Sequence, residues 1–153
     1  MKKINIPLLI FCVCICASAG IVGSIVTFNS VTTWYPTLIK PFFNPPSWIF
    51  GPVWTMLYFL MGISLYLVWR KKKADLQWFW IQLVLNALWS IIFFGLKNPL
   101  LAFVVIILLW VSIFLTIKSF QKVNKTAAVL LFPYLAWVSF ASLLNLFIVV
   151  LNR

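Results

Sequence analysis

Histidine is absent from this 153-residue sequence, and Asp75 is its only carboxylate side chain. Acid and base catalysis near neutrality relies on His, Glu or Asp held at a tuned pKa, so that chemistry is excluded here. The same absence argues against proton- or sodium-coupled transport, because such relays need ionisable groups buried within membrane spans. Metal binding would fall to Cys12, Cys14 and Cys16 with no imidazole to complete a site. On a helix, Cys12 and Cys16 share a face while Cys14 points away, so no metal or redox site is expected and the three read as small apolar side chains. An odd cysteine count within an apolar stretch likewise implies no disulfide framework.

Charge of either sign is scarce, at 8% of residues against about 25% in ordinary soluble domains. The 12 Lys and Arg sit in short groups and not along a stripe, so the net charge of +11 does not read as a nucleic-acid surface. Hydrophobic residues make up 65% of the chain. Between charges lie uncharged intervals of 36 (Ile4–Ile39), 29 (Pro41–Trp69), 21 (Leu76–Leu96), 20 (Asn98–Ile117) and 27 (Thr126–Asn152) residues. Since a spanning helix needs about 20 predominantly apolar residues, each interval holds one. The fold class expected is an all-α integral membrane protein, a five-transmembrane-helix bundle forming one domain over 1–153. The spans fall near 6–28, 47–69, 77–95, 99–118 and 127–151, with an external loop at 29–46. The start imitates a secretory signal, with Lys2-Lys3, an apolar run and Ala17-Ser18-Ala19-Gly20. The run continues through Ile21 to Val26, long enough for a retained span.

Alternate segments place Lys2, Lys3, Arg70, Lys71, Lys72, Lys73, Lys118, Lys122 and Lys125 on one side, against Lys40, Lys97 and Arg153 on the other. The positive-inside rule then puts the N-terminus in the cytoplasm. A Lys/Ile/Asn-rich composition in a short chain suggests a bacterial plasma membrane.

Within the spans, a few residues break the apolar background. Small residues recur four apart on span one as Ala19/Gly23 and Gly20/Ser24, which suits close helix packing, a dimer face or the wall of a ligand cavity. The connection holds Trp34-Tyr35-Pro36 and Lys40-Pro41-Phe42-Phe43-Asn44-Pro45-Pro46, four of the eight prolines. It reads as a stiff external lid or as an interfacial aromatic belt. Ser47 is positioned to cap span two, Trp54 and Tyr58 share a face, and Pro52 should free a carbonyl or kink the helix. On span three, Gln82, Asn86, Trp89 and Phe93 form a single stripe, and amides in hydrocarbon need partners. Those partners are either another helix or a ligand. Span four is featureless apart from Trp110 and Ser112. Span five carries a second aromatic and amide stripe, Trp137, Ala141, Leu144 and Asn145, beside the Pro133 kink. Two such stripes face to face would line a pocket for a flat, largely apolar molecule.

The residues that carry a resemblance are now in view. They are Trp34-Tyr35, Lys40-Pro41, Pro45 through Trp54 with Leu57-Tyr58, then Gln82, Asn86, Trp89 and Phe93-Phe94-Gly95. Pro133 through Trp137, Phe140-Ala141 and Leu144-Asn145 complete the set. In this order and over essentially the whole chain, the sequence resembles the TspO/translocator protein family, the tryptophan-rich sensory proteins and peripheral-type benzodiazepine receptors. The resemblance implies a bundle, usually a homodimer, whose cavity opens toward the first loop. It also implies binding of porphyrins such as protoporphyrin IX and haem, sterols, and flat drug-like ligands, with no cofactor required. Carried over position by position, the ligand-binding residues are Ser24, Thr27, Trp48, Phe50, Gly51, Val53, Trp54, Tyr58, Asn86, Trp89, Phe93, Trp137, Ala141 and Leu144. The expected function is a membrane-embedded sensor or carrier of porphyrins. The alternative is an enzyme for light- and oxygen-dependent porphyrin breakdown with Trp54 and Trp137 as catalytic residues, and a third reading is a passive structural partner. Lys40 stands where it could attract porphyrin carboxylates or merely snorkel.

Two departures from the family pattern matter. Phe147 replaces the tyrosine of the sterol-recognition pattern, so high-affinity sterol binding is not expected; the formal match at Leu60, Tyr66 and Arg70 is a weak pattern. Gln77 and Ile81 replace the small residues of the span-three dimer motif, which leaves Ala19/Gly23 as the expected dimer face.

Overall fold

The computed structural model describes residues 4–71 and 75–153, so Lys2, Lys3, Lys72 and Lys73 lie outside the described residues. Its helices are α1 (Ile6–Thr33), α2 (Phe50–Trp69), α3 (Gln77–Ser90), α4 (Pro99–Gln121), α5 (Lys125–Val129) and α6 (Phe132–Leu151). No strand occurs among the described residues. Five segments are long and apolar enough to cross a membrane: Ile6–Thr33, Ser47–Trp69, Gln77–Gly95, Pro99–Gln121 and Lys125–Leu151.

Helix ends follow local chemistry. Asn5 caps α1 by accepting from Leu8 N at 3.1 Å, with Pro7 in the first turn, and Asn98 caps α4 by accepting from Leu101 N at 3.0 Å ahead of Pro99. Asn124 accepts from Thr126 N and Ala127 N to start α5. Span one extends to Thr33, so the first five residues expected in the loop, 29–33, are helical. Ser47 is not a helix cap; it opens a single 3₁₀ turn, Ser47–Ile49, that leads into α2 without a side-chain cap. Pro52 consequently lies in the first turn of α2, where amides have no helical partner, and α2 continues unbroken to Trp69. Pro133 does break span five, which divides at Leu130–Leu131 into α5 and α6. Span three ends in one wide π turn, Ile91–Gly95. Ser30 of α1 donates to the Phe94 carbonyl there at 2.6 Å, and Lys97 takes a left-handed φ of 52° to reverse the chain.

The helices form a ring in which α1 lies between α2 and α3, α4 packs on α3 and α6, and α5 returns to α2. Closure at the α5 end is sealed by Ser64 of α2, which donates to the Ala127 carbonyl at 2.7 Å. Core side chains here include Met61, Leu65, Phe79, Ile113, Phe120, Tyr134 and Val138, with Phe79 and Phe120 stacked at 5.7 Å. Val13 of α1 sits directly over Gly62 of α2, where the missing side chain lets the two backbones come close. Cys12 and Cys16 are buried and Cys14 is exposed. Isoleucine, valine, leucine and phenylalanine side chains cover much of the outer surface, among them Ile25, Phe28, Val104, Leu108 and Val150. Contiguous apolar exposure of this kind is what a lipid-facing wall requires.

Cations anchor the end that α5 closes. Arg70 reaches back to the Tyr66 hydroxyl at 3.2 Å, Lys71 donates to the Val123 carbonyl at 2.9 Å, and Lys118 lies over the Phe114 ring. Ala19 and Gly23 are buried, with Ser90 of α3 against Gly23. That small-residue face is used inside the bundle, so the expected dimer surface is not presented to a second copy.

Candidate functional site: an aromatic cavity beneath the first loop

At the opposite end of the ring, α1, α2, the α3 π turn and α6 surround a cavity of about 540 Å³. Its position follows from the topology. The ring is closed where α5 meets α2, and toward the loop α2 and α6 meet through side chains such as Phe50 and Trp137.

Each wall has its own chemistry. From α1 come Val13, Ala17, Gly20, Gly23, Ser24, Thr27 and Val31, mostly small side chains that leave the volume open. Helix α2 supplies Phe50, Gly51, Trp54, Thr55 and Tyr58 from one face. Trp89, Ser90, Phe93 and Phe94 form the third wall, and Ala141, Leu144, Asn145 and Ile148 the fourth. The aromatic rings hold one another in place. Trp54 stacks on Tyr58 at 5.8 Å and lies 6.4 Å from Trp89, which stacks on Phe93 at 5.4 Å.

Polar groups in the wall are few, and most of their donors are already engaged; the Ser90 hydroxyl has no hydrogen-bond partner among the described residues. Ser24 donates to Ile21 O at 2.8 Å, Thr27 to Gly23 O at 2.8 Å and Thr55 to Gly51 O at 2.9 Å, so each keeps its lone pairs as acceptors. Trp89 Nε1 donates to Asn145 Oδ1 at 3.1 Å, and Asn145 Nδ2 donates to the Pro99 carbonyl at 2.8 Å. Among the described residues, no Lys, Arg, Asp or Glu lines the cavity. An ionised ligand group therefore has no counter-charge inside and is held at the mouth or in water.

Beneath Tyr58 the two span-three amides find their partners. Tyr58 donates to Asn86 Oδ1 at 2.6 Å, Asn86 Nδ2 to the Tyr134 hydroxyl at 2.9 Å, and Tyr134 to Gln82 Oε1 at 2.8 Å. Gln82 and Asn86 are 1% and 2% exposed, and Gln82 Nε2 has no partner among the described residues.

Residues 34–46 lie at this end of the bundle, and of them Tyr35 lines the cavity. Tyr35 is buried in the wall and donates to Asn44 Oδ1 at 2.8 Å. Burial pushes its phenol above the usual range, and the Asn44 bond opposes that in part. Lys40 Nζ donates to the Leu38 and Pro36 carbonyls at 3.0 and 3.3 Å and sits 5.0 Å over the Tyr35 ring. The loop is pinned to the end of α6. Asn152 accepts from Ile39 N and donates to Ile39 O, both at 2.9 Å, and Phe43 packs edge-on against Phe147 at 5.3 Å.

Of the residues named from sequence, Ser24, Thr27, Phe50, Gly51, Trp54, Tyr58, Trp89, Phe93, Ala141 and Leu144 stand in this wall. Four stand elsewhere. Trp48 projects from the 3₁₀ turn, 73% exposed. Asn86 lies behind Tyr58, which takes its Oδ1. Val53 and Trp137 line a separate shallow groove between α2 and α6, with Met56, Leu57, Pro133, Ala136 and Phe140. The Phe50 ring stands edge-on to Trp137 at 6.0 Å, between that groove and the cavity. Sequence reasoning named Ala17, Gly20, Ile21, Gly23, Tyr35, Phe94 and Asn145 without assigning them to the site, and missed Val13, Val31, Thr55, Phe59, Ser90 and Ile148. Their only signal is position on helical faces already half assigned.

Fold and site together define a class: an integral membrane protein of five spans, four of which line an aromatic, uncharged cavity. The TspO/MBR family profile matches residues 12–151. The tryptophan-rich protein TspO of Archaeoglobus fulgidus is 48% identical over 155 aligned positions, covering 97% of this chain and 99% of its own. That of Chlorobaculum tepidum is 46% identical over 150, covering 94% and 95%. The translocator protein of Homo sapiens is 39% identical over 131, covering 81% and 78%. The chain belongs to the TspO/MBR family.

Proposed function

We propose that this chain is a membrane-embedded binding protein, a sensor or carrier, for porphyrins such as protoporphyrin IX and haem and for flat hydrophobic drug-like molecules. Family membership supports a membrane sensor or translocator role. The observation that carries the ligand class is the cavity itself: about 540 Å³, within the roughly 300–1,000 Å³ of small-molecule sites, walled by stacked aromatics and free of charge. Such a wall rewards burial of a flat apolar ring system and leaves carboxylates at the mouth, on the side of Lys40, Lys97 and Arg153. Binding needs no cofactor. The protein is read as a homodimer in a bacterial plasma membrane with its N-terminus in the cytoplasm, consistent with the cations gathered at the α5 end.

The test is a titration of the detergent-solubilised protein with protoporphyrin IX in the dark, followed by tryptophan fluorescence. Saturable quenching is expected, since Trp54 and Trp89 stand in the wall. Linear, non-saturating quenching equal to that of free tryptophan overturns the reading.

A second reading, light- and oxygen-dependent porphyrin degradation, is favoured by one observation: Trp54 stands in the wall, where its indole can donate an electron to an excited bound porphyrin. Trp137 lines the neighbouring groove and stands edge-on to Phe50 of the cavity wall. Under illumination, loss of porphyrin absorbance in wild type that Trp54→Phe abolishes while dark binding persists would establish the enzyme. Equal loss in both would leave binding alone.

A further inference from the structure

The Tyr58–Asn86–Tyr134–Gln82 chain is directional, and its direction sets what the cavity wall offers a ligand. As it stands, every donor points away from the cavity: Tyr58 to Asn86, Asn86 to Tyr134, Tyr134 to Gln82. Tyr58, the one member in the wall, thus spends its hydrogen inward and presents lone pairs to the cavity. The chain ends on a cost, because Gln82 Nε2 is buried with no partner.

The opposite direction is open to the same atoms. If both amides turn over and both hydroxyls rotate, Gln82 Nε2 donates to Tyr134, Tyr134 to Asn86 Oδ1, and Asn86 Nδ2 to Tyr58. Tyr58 O–H is then free for the cavity. The unpartnered group becomes Gln82 Oε1 in place of Nε2, so each direction leaves one buried amide atom unsatisfied. The balance between them is close. One distance favours the inward direction: 2.6 Å between Tyr58 and Asn86 suits an O–H···O bond and is short for N–H···O.

We propose that this chain is a reversible hydrogen-bond relay that makes Tyr58 an acceptor or a donor according to the ligand, with Gln82, Tyr134 and Asn86 as positioning residues. It deepens the binding reading above and rests on it. The relay lets one uncharged cavity take flat molecules bearing either an N–H or a bare ring nitrogen or carbonyl. Ser24, Thr27 and Thr55 direct their hydrogens to their own helices, which leaves Ser90 as the one wall hydroxyl without a hydrogen-bond partner among the described residues.

Gln82→Leu tests the relay because Gln82 touches no ligand. With its terminal acceptor gone, Tyr134 has only Asn86 Oδ1 to donate to, and the chain is fixed outward with Tyr58 as a donor. Carbazole, a flat donor-only probe, and acridine, a flat acceptor-only probe, are compared by fluorescence titration at pH 8. Wild type is expected to bind both. Gln82→Leu is expected to shift the affinity ratio toward acridine by about three- to tenfold, the worth of one hydrogen bond. In Tyr134→Phe, where the relay is already cut, adding Gln82→Leu is expected to leave the ratio unchanged. A Gln82→Leu protein that weakens both probes equally, or neither, has lost packing only and overturns the relay while the binding reading stands. Wild type binding neither probe removes the binding reading, and the relay with it.

Discussion

Gly62 gives a direct check on the packing that holds the cavity open. A methyl group added there would lie 2.6 Å from Val13 Cα, 2.7 Å from Val13 Cγ2 and 3.0 Å from Val13 N. Carbon contacts settle at about 3.5–4.0 Å, so α1 must retreat from α2 by about 1 Å, and two of the three obstacles are backbone that cannot rotate aside. Overpacking of this kind costs about 1–3 kcal/mol, while Ala gains about 0.5–1 kcal/mol over Gly in a helix. The net for Gly62→Ala is a loss of roughly 0–2.5 kcal/mol. Gly51→Ala is the control on the same helix, since nothing lies within 4 Å of its added methyl. It should be neutral or slightly stabilising. Both variants share the helix gain, so they differ by the overpacking cost. At about 2–4 °C per kcal/mol for a chain of this size, Gly62→Ala should unfold roughly 2–12 °C below Gly51→Ala in thermal denaturation in detergent micelles. Equal midpoints, or Gly62→Ala above Gly51→Ala, would refute the close approach of α1 and α2.

Three further outcomes follow from the loop and the amides. Asn152→Ala removes both bonds to Ile39, so hydrogen exchange across residues 38–46 should quicken and porphyrin dissociation should speed several-fold in stopped flow, with little change in thermal midpoint. Asn145→Leu strands Trp89 Nε1 and the Pro99 carbonyl, at a cost of about 1–3 kcal/mol in chemical denaturation with a shift of Trp89 emission; an unchanged midpoint would count against the pairing. Because burial raises the Tyr35 phenol above its unfolded value, its neutral form stabilises the fold at every pH below the usual phenol range. That stability is lost as pH rises from there through the native value, and Tyr35→Phe should flatten the alkaline loss of stability; an unchanged slope would contradict it.

The spans were legible because charge is costly in hydrocarbon. Arg70, Lys97, Lys118 and Lys125 bracket segments whose lengths the bilayer fixes, and the helices lie within a few residues of those brackets. The exceptions have local causes. Thr33 continues α1 because residues 29–33 contain no proline or glycine to stop it, and the π turn at Ile91–Gly95 depends on Ser30, a residue 64 positions away, satisfying Phe94 O. On α3 the site was legible because an amide is conspicuous in an apolar helix. Helix α1 was ambiguous, since Gly20, Gly23 and Ser24 suit close packing and an open wall equally, and the structure uses them for both. Trp137 shows the limit of stripe reasoning. It shares a helical face with Ala141 and Leu144, yet the Phe50 ring stands between it and the cavity. Only the packing of α2 against α6 decides that, and neither helix carries it alone.

The central claim is that a flat hydrophobic ligand binds inside this cavity and not on the lipid-facing surface. The most direct measurement compares protoporphyrin IX affinity of wild type, Ala141→Trp, which fills the wall of α6, and Val129→Trp, which adds the same ring on the exposed side of α5. The account predicts at least a tenfold loss of affinity for Ala141→Trp and wild-type affinity for Val129→Trp, with both variants folded. Undiminished binding to Ala141→Trp would place the porphyrin outside the cavity and contradict the account.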